Sequence, residues 1–184
     1  MGRWLKMKIK DIVKLGIILL LICGISTGLL AYVNDITSPV IAKNNEINEQ
    51  NARKEVLPDA DEFEMESQGI FIGKKNNEIV GYTINVSPEG YGGEISMIVG
   101  IKKDCTVSGV KIISMSETPG LGAKAQDESF LSQFAGKNEN ISLVKGGSSD
   151  NSIVAITGAT VTSTAIVAGV KEALSKVPVT KGAL

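Results

Sequence analysis

The longest apolar run in the chain falls at residues 15–33, LGIILLLICGISTGLLAYV, and holds no charged side chain. About 20 such residues cross the ~30 Å hydrocarbon core of a bilayer as a helix. The run therefore predicts a transmembrane helix over residues 15–34. A cleaved signal peptide is the competing reading, but its apolar region runs only ~7–15 residues and ends at a small-residue cleavage site. This run is longer and no A-x-A site follows it. Lipid attachment at Cys23 is disfavoured by the bulky Ile22 ahead of it. Further on, Ser38-Pro39 predicts a new helix start, with serine as cap and proline at the first helical position. The polar stretch to Val56 then reads as a juxtamembrane helix, ended by Leu57-Pro58-Asp59.

From residue 69 to 114 the pattern changes. Phe71-Ile72 and the runs 79–84, 95–101 and 107–113 are β-branched and partly alternating, which predicts strands. Asn76-Asn77 and Lys103-Asp104 separate them as turns, so the region reads as an antiparallel meander. Phe130, Leu131 and Phe134, after Asp127, suit a short helix closed by Gly136. A Gly/Ser-rich loop at 146–150 leads to a short apolar run at 153–156 and then to Thr157-Gly158-Ala159-Thr160. Beyond it Ala165, Ile166, Gly169, Val170, Ala173 and Leu174 recur at helical spacing, with Lys171 and Glu172 off that face. The order is strand, tight turn, helix. The expected class is α+β: an N-terminal transmembrane helix, then a mixed, mainly antiparallel sheet with flanking helices. The expected segments are a cytoplasmic N-terminus at 1–14, the span at 15–34, a juxtamembrane helix and linker at 35–64, and an extracytoplasmic domain at 65–184.

Composition narrows the chemistry. A length of 184 residues suits one domain plus an anchor. A net charge of -1 and the lack of a basic, aromatic-rich stretch give no reason to expect nucleic acid. The chain has no histidine, which excludes Ser-His-Asp and Cys-His catalysis and histidine metal sites. Its two cysteines, Cys23 and Cys105, are too few for an iron–sulfur cluster, which takes about four thiolates. Any redox cofactor must therefore be organic. Charge also orients the span. Arg3, Lys6, Lys8, Lys10 and Lys14, partly offset by Asp11, precede it, and Asn34 and Asp35 follow. Positive charge holds the short N-terminus inside, so the residues after Tyr32 face outward, with Trp4 and Tyr32 near the two interfaces.

The turn before the last helix is where chemistry concentrates. A helix start presents free N–H groups and the positive end of a dipole, which suits a phosphate. Gly158 and Ala159 leave the backbone bare, and Thr157, Thr160, Thr162 and Ser163 surround it with hydroxyls. An ordinary capped helix accounts for the same residues, since Ser and Thr are common caps. A threonine protease does not fit, because its nucleophile is an N-terminal threonine and Thr160 lies deep in the chain.

The segment Thr157-Gly158-Ala159-Thr160-Val161-Thr162-Ser163 resembles the flavinylation motif of the FMN-binding domain family. In that family the last threonine of an S/T-G-A-T core is joined to FMN by a phosphoester bond, which a dedicated flavin transferase makes from FAD. The matching residue is Thr160. Two more of the family's signatures follow its order and spacing. One is Gly90-Tyr91-Gly92-Gly93-Glu94-Ile95 with the strand Met97-Ile98-Val99-Gly100-Ile101. The other is Glu117-Thr118-Pro119-Gly120-Leu121-Gly122-Ala123-Lys124, then Phe130 and Gln133-Phe134. The resemblance covers about residues 65–178. The nearest pattern within the family is that of the G subunits of Rnf electron transport complexes. The related C subunits of sodium-translocating NADH:quinone reductases, usually longer, come second. One departure is visible: where the wider motif has an aspartate three positions before the core, this chain has Val154, with Asp150 out of register.

The resemblance implies covalent FMN on Thr160, with Thr157, Gly158, Ala159, Val161, Thr162 and Ser163 around the phosphate. It places Glu117, Thr118, Leu121, Gly122, Lys124 and Tyr91 around the ring. Thr118 would hydrogen-bond the isoalloxazine. Glu117 has two readings, a ring-side group or a plain surface acid. The implied role is that of an electron carrier within a larger complex, with no catalytic residue and no metal of its own, single-pass in the inner or plasma membrane. Its implied partners are membrane subunits, one bearing another covalent flavin, and cytoplasmic subunits that react with ferredoxin and NAD. That electron flow is coupled to export of sodium ions or protons. The alternatives are a component like the C subunits of the NADH:quinone reductases, a stand-alone anchored flavin reductase or regulator, and an anchored structural protein without a cofactor.

Overall fold

The computed structural model describes residues 9–147 and 150–177. Arg3, Lys6, Lys8 and Trp4, expected to fix the inner end of the span, lie outside them. The chain divides into two compact units, Met1–Glu46 and Ile47–Leu184.

The described part of the first unit is helical. The helix α1 runs through Ile9–Val56, and its apolar stretch is long and apolar enough to cross a membrane. Its leucines and isoleucines from Ile12 to Ile36 are exposed to their surroundings, as a lipid-facing surface requires. The expected second start at Ser38-Pro39 is not there: both residues lie inside α1. Proline lacks an N–H and so removes one helical hydrogen bond. The helix continues nonetheless, and in the same region the Thr37 hydroxyl donates to the Val33 carbonyl at 2.9 Å. A local cap signal does not by itself start a helix where the preceding residues are already helical and supply the hydrogen bonds. The expected end is correct. Leu57 N–H donates back to the Arg53 carbonyl at 3.0 Å, and Pro58 prevents a further turn.

In the second unit, five strands form one antiparallel meander: β1 (Glu62–Ser67), β2 (Ile70–Lys75), β3 (Glu78–Val86), β4 (Ser96–Lys102) and β5 (Val107–Ser114), in that spatial order. Asn76 and Asn77 both have positive φ, 51° and 67°, the two-residue hairpin conformation that asparagine tolerates best. The strand β1 was not expected. It is an acidic edge, EFEMES, with five of its six residues exposed, and such charge protects an edge from pairing with other chains.

The sheet has two differently covered faces. On one, the last turn of α1 sits on glycines. A Cβ at Gly73 would lie 2.5 Å from Leu57, and one at Gly100 would clash with the Val56 carbonyl. Val56 and Leu57 are buried, the Arg53 guanidinium lies 3.8 Å over the Phe71 ring, and Lys111 pairs with Glu55 at 2.7 Å. The other face carries the main core. Tyr82, Ile84, Val86, Met97, Val99 and Ile101 alternate inward along β3 and β4. They pack with residues of the last helix, α3 (Thr160–Lys176), among them Ile166 and Val170.

Between β5 and α3 come a 3-10 turn at Gly122–Gln126, the short helix α2 (Glu128–Leu131), and a second 3-10 turn at Ser132–Phe134. Phe130 and Phe134 meet edge to face with centroids 5.6 Å apart. Two short strands then pair in parallel, β6 (Ser142–Val144) with β7 (Ser152–Val154). β6 was not expected, whereas β7 opens the predicted apolar run. The class is α+β as expected.

Candidate functional site

β7 delivers the chain to a tight turn. Ala159 N–H donates to the Ile156 carbonyl at 3.0 Å, and Gly158 has φ 81°, the positive value that the third position of a type II turn requires. α3 starts at Thr160, and no side chain caps it. The first intrahelical bond runs from Ser163 N–H to the Ala159 carbonyl at 3.0 Å. The N–H groups of Thr160, Val161 and Thr162 therefore point out of the helix end without a capping oxygen. This decides against the capped-helix reading.

The hydroxyls crowded into this turn are not equivalent. Ser163 is buried; its Oγ donates to the Ala159 carbonyl at 2.9 Å and accepts from Ile156 N–H at 3.1 Å. Thr162 is buried and its Oγ1 donates to Glu117 Oε2 at 2.9 Å. Thr164 donates to the Thr160 carbonyl at 2.8 Å. Thr160 itself is exposed, and its hydroxyl has no partner among the described residues.

Thr160 opens onto a cleft of about 540 Å³, lined by Tyr91, Glu117, Thr118, Leu121, Gly122, Gly158, Ala159, Thr160, Val161 and Thr162. That volume lies within the usual range for organic ligands. Ten of the expected site residues thus converge. Three do not line the cleft: Thr157 is exposed on the turn, Ser163 is buried, and Lys124 is exposed on the Gly122–Gln126 turn. The wall opposite α3 is a second turn, closed by Leu121 N–H donating to the Thr118 carbonyl at 3.2 Å. Pro119 sits at its second position and Gly120, with φ 78°, at its third.

Glu117 is not a surface acid. It is 9% exposed. Its Oε1 accepts from the N–H of Tyr91 at 2.7 Å and of Gly92 at 3.3 Å, and its Oε2 from Thr162. Gly90 and Gly122 make room for it: a Cβ at Gly122 would lie 2.6 Å from Oε2, and one at Gly90 would clash with Oε1. A Cβ at Gly92 would clash with the Ser116 carbonyl. These glycines, and Gln133, whose Oε1 accepts from Val154 N–H at 2.8 Å, were legible as signature residues but not as supports. Their only sequence signal is that they recur within the two signatures.

The electrostatics are lopsided. Among the described residues no lysine or arginine lines the cleft, and its positive end there is the N-terminus of α3. The apolar rim consists of Tyr91, Leu121 and Val161, which are 74%, 46% and 54% exposed. Free N–H donors, an accessible hydroxyl and an apolar rim fit a phosphorylated ligand with a flat aromatic body.

Comparison with known proteins agrees. Residues 90–175 match the FMN-binding domain family, and residues 7–56 match the RnfG N-terminal region. The chain is 39% identical to the G subunit of the Na(+)-translocating ferredoxin:NAD(+) oxidoreductase complex of Acetobacterium woodii, over 88% of this chain and 89% of that one. It is 37% identical to the G subunit of the proton-translocating ferredoxin:NAD(+) oxidoreductase complex of Clostridium ljungdahlii, over 84% and 85%. Among solved structures, Shewanella oneidensis NqrC superposes with a TM-score of 0.53 at 24% identity, covering 57% of this chain and 54% of that one. The latter likeness concerns the fold, and the chain spans only about half the length of that protein. The apolar helix, together with relatives that belong to ion-translocating complexes, makes this a membrane-anchored chain. By its two family matches and its identity to these relatives, the chain belongs to the family of G subunits of ion-translocating ferredoxin:NAD(+) oxidoreductase complexes and carries that family's FMN-binding domain.

Proposed function

We propose that this chain is the electron-carrying member of an Rnf-type ferredoxin:NAD oxidoreductase, with FMN bound through a phosphoester on Thr160. One observation carries the attachment site. Of the hydroxyls in the first turn of α3, Thr162 and Ser163 are buried and engaged, while Thr160 is exposed and free at an uncapped helix end. The N–H groups of Val161 and Thr162 are the natural donors to a phosphate there. Leu121, Val161 and Tyr91 supply apolar surface for a ring, and Thr118 supplies a hydroxyl at the cleft wall.

Attachment balances as a transfer from FAD. Thr160 Oγ1 forms a bond to the flavin-side phosphorus, the pyrophosphate P–O bond breaks, AMP leaves with the electron pair, and the hydroxyl proton passes to a base. In this reading a separate flavin transferase supplies that base. The bound cofactor contributes one- or two-electron transfer, and the protein contributes its position and surroundings. Among the described residues no lysine or arginine lines the cleft, so in this reading the covalent bond rather than an ion pair retains the cofactor. In this reading the N-terminus is cytoplasmic and the domain extracytoplasmic, from the charge asymmetry of the sequence. The partners are the other membrane subunits, including one with a second flavin. The two relatives carry different ions in their names, sodium and protons, and the span of this chain has no acidic or basic side chain to select between them.

Thr160→Ala tests the attachment. The variant should fold and carry no flavin absorbance after denaturation, while Thr160→Ser should retain part of it. Full flavin in Thr160→Ala contradicts the proposal. Orientation is tested separately: protease added to wall-free cells should cleave beyond Asp35, and protection until lysis contradicts it.

A further inference from the structure

A carboxylate that is 9% exposed needs strong compensation, because removing charge from water costs several kcal/mol unless donors replace the solvent. Glu117 has no ion pair among the described residues. Its compensation is three hydrogen bonds from two segments distant in sequence, the N–H groups of Tyr91 and Gly92 and the hydroxyl of Thr162. The backbone around it is fitted closely, since Cβ atoms at Gly90 or Gly122 would press on its oxygens. The group therefore joins three pieces of the cleft: the 90–93 loop, the turn at 118–121, and the first turn of α3.

We infer that Glu117 is a positioning residue for the acceptor threonine, acting through its bond to Thr162 rather than by touching the flavin. The inference rests on attachment at Thr160. Thr162 lies in the same helical turn as Thr160, two residues on. Clamping its side chain fixes the turn that presents the Thr160 hydroxyl and its neighbouring N–H donors. The same carboxylate, through Tyr91 N–H, fixes the residue that forms the most exposed part of the rim. It also engages the hydroxyl of Thr162, the neighbouring candidate acceptor. A charge-assisted bond of this kind is stronger than one between neutral groups, and reacting groups misplaced by about 1 Å lose on the order of a hundredfold in rate.

The test uses the full-length chain in membranes with its flavin transferase and FAD. Thr162→Val keeps the shape of the side chain and deletes only the bond to Oε2. Thr162→Ser keeps the bond. Initial rates of FMN incorporation at Thr160 should fall roughly tenfold or more in Thr162→Val and return close to wild type in Thr162→Ser. Flavin fluorescence of the fraction that does load should also differ from wild type only in the valine variant. Glu117→Gln should lower incorporation as well; if it fails to fold, the two Thr162 variants decide alone. A Thr162→Val chain that unfolds at a lower temperature yet loads flavin at the wild-type rate with unchanged fluorescence overturns the inference and leaves Glu117 a purely structural group. Equal slowing in the valine and serine variants overturns it too, since the hydroxyl would then not be responsible. Peptide mapping of the wild type separates the two levels. Flavin on a residue other than Thr160 defeats the attachment reading itself, whatever the variants do.

Discussion

Where α1 ends on the sheet, Gly73, Gly81, Gly100 and Gly109 leave room for protein; at the mouth of α3, Gly90, Gly92 and Gly122 leave room for a carboxylate and an open cleft. At the first corner the space is filled by Val56 and Leu57, both buried. Burying one such side chain contributes about 1.5–3 kcal/mol. At the second corner Gly90 and Gly122 face the Glu117 carboxylate, and the contacts are hydrogen bonds from backbone and hydroxyl donors. A typical hydrogen bond adds only about 0.5–1.5 kcal/mol net. The same residue type therefore serves stability in one place and site geometry in the other. Damage to the two corners should separate in experiment.

The largest effect on stability should come from the first corner. Leu57→Ala removes a fully buried side chain and should cost about 2–5 kcal/mol in denaturant unfolding. The folded fraction should still accept flavin on Thr160. Gly92→Ala comes next. Its Cβ would clash with the Ser116 carbonyl, and such overpacking costs about 1–3 kcal/mol. Here flavin loading should fall far more than the unfolding midpoint suggests. If Leu57→Ala abolished loading in folded protein and Gly92→Ala spared it, the comparison would be reversed. Gly158→Ala is milder, since an L-residue in the left-handed region costs roughly 1–2 kcal/mol and its Cβ meets Leu121 at 3.2 Å. It should narrow the cleft and shift the flavin spectrum, and lower the melting temperature by only a few degrees.

The smallest effect lies away from both corners. The Thr106 hydroxyl and N–H hold the Asp104 carboxyl below the usual aspartate range. A depressed folded value means the contribution is complete above the ordinary aspartate pKa of about 3.9 and is lost as pH falls through the folded one. Asp104→Ala should therefore lower stability slightly at pH 7 and not at all at strongly acid pH, measured as unfolding midpoints. An equal loss at both pH values would show that the carboxylate charge is not involved.

The meander, the strand–turn–helix order and the threonine motif are readable from residue pattern because each depends on local preferences: β-branched alternation, Asn-Asn and Pro-Gly turns, and helical spacing after Thr160. What escaped pattern reading depends on tertiary context. β1 is mostly Glu and Ser, which do not favour strands, and it exists as an edge laid against β2. β6 is three residues long and is defined by its parallel partner β7. Ser38-Pro39 carries a start signal that the surrounding helix overrides. Glu117 reads equally well as a surface acid until the backbone of residues 90–92 is folded over it. Most informative is the turn at 157–163, where four equivalent-looking hydroxyls differ sharply once Ser163 and Thr162 find partners inside the fold.

That difference gives the most direct test of the attachment site. Tryptic digestion of the protein purified from its own membranes yields one peptide spanning residues 146–171, which contains Thr157, Thr160, Thr162, Ser163 and Thr164 together. Fragmentation mass spectrometry of that peptide should place a single FMN-sized increment, lost on phosphodiester cleavage, on Thr160. The same increment on Thr157, Thr162, Ser163 or Thr164, or an unmodified peptide from flavin-loaded membranes, contradicts it.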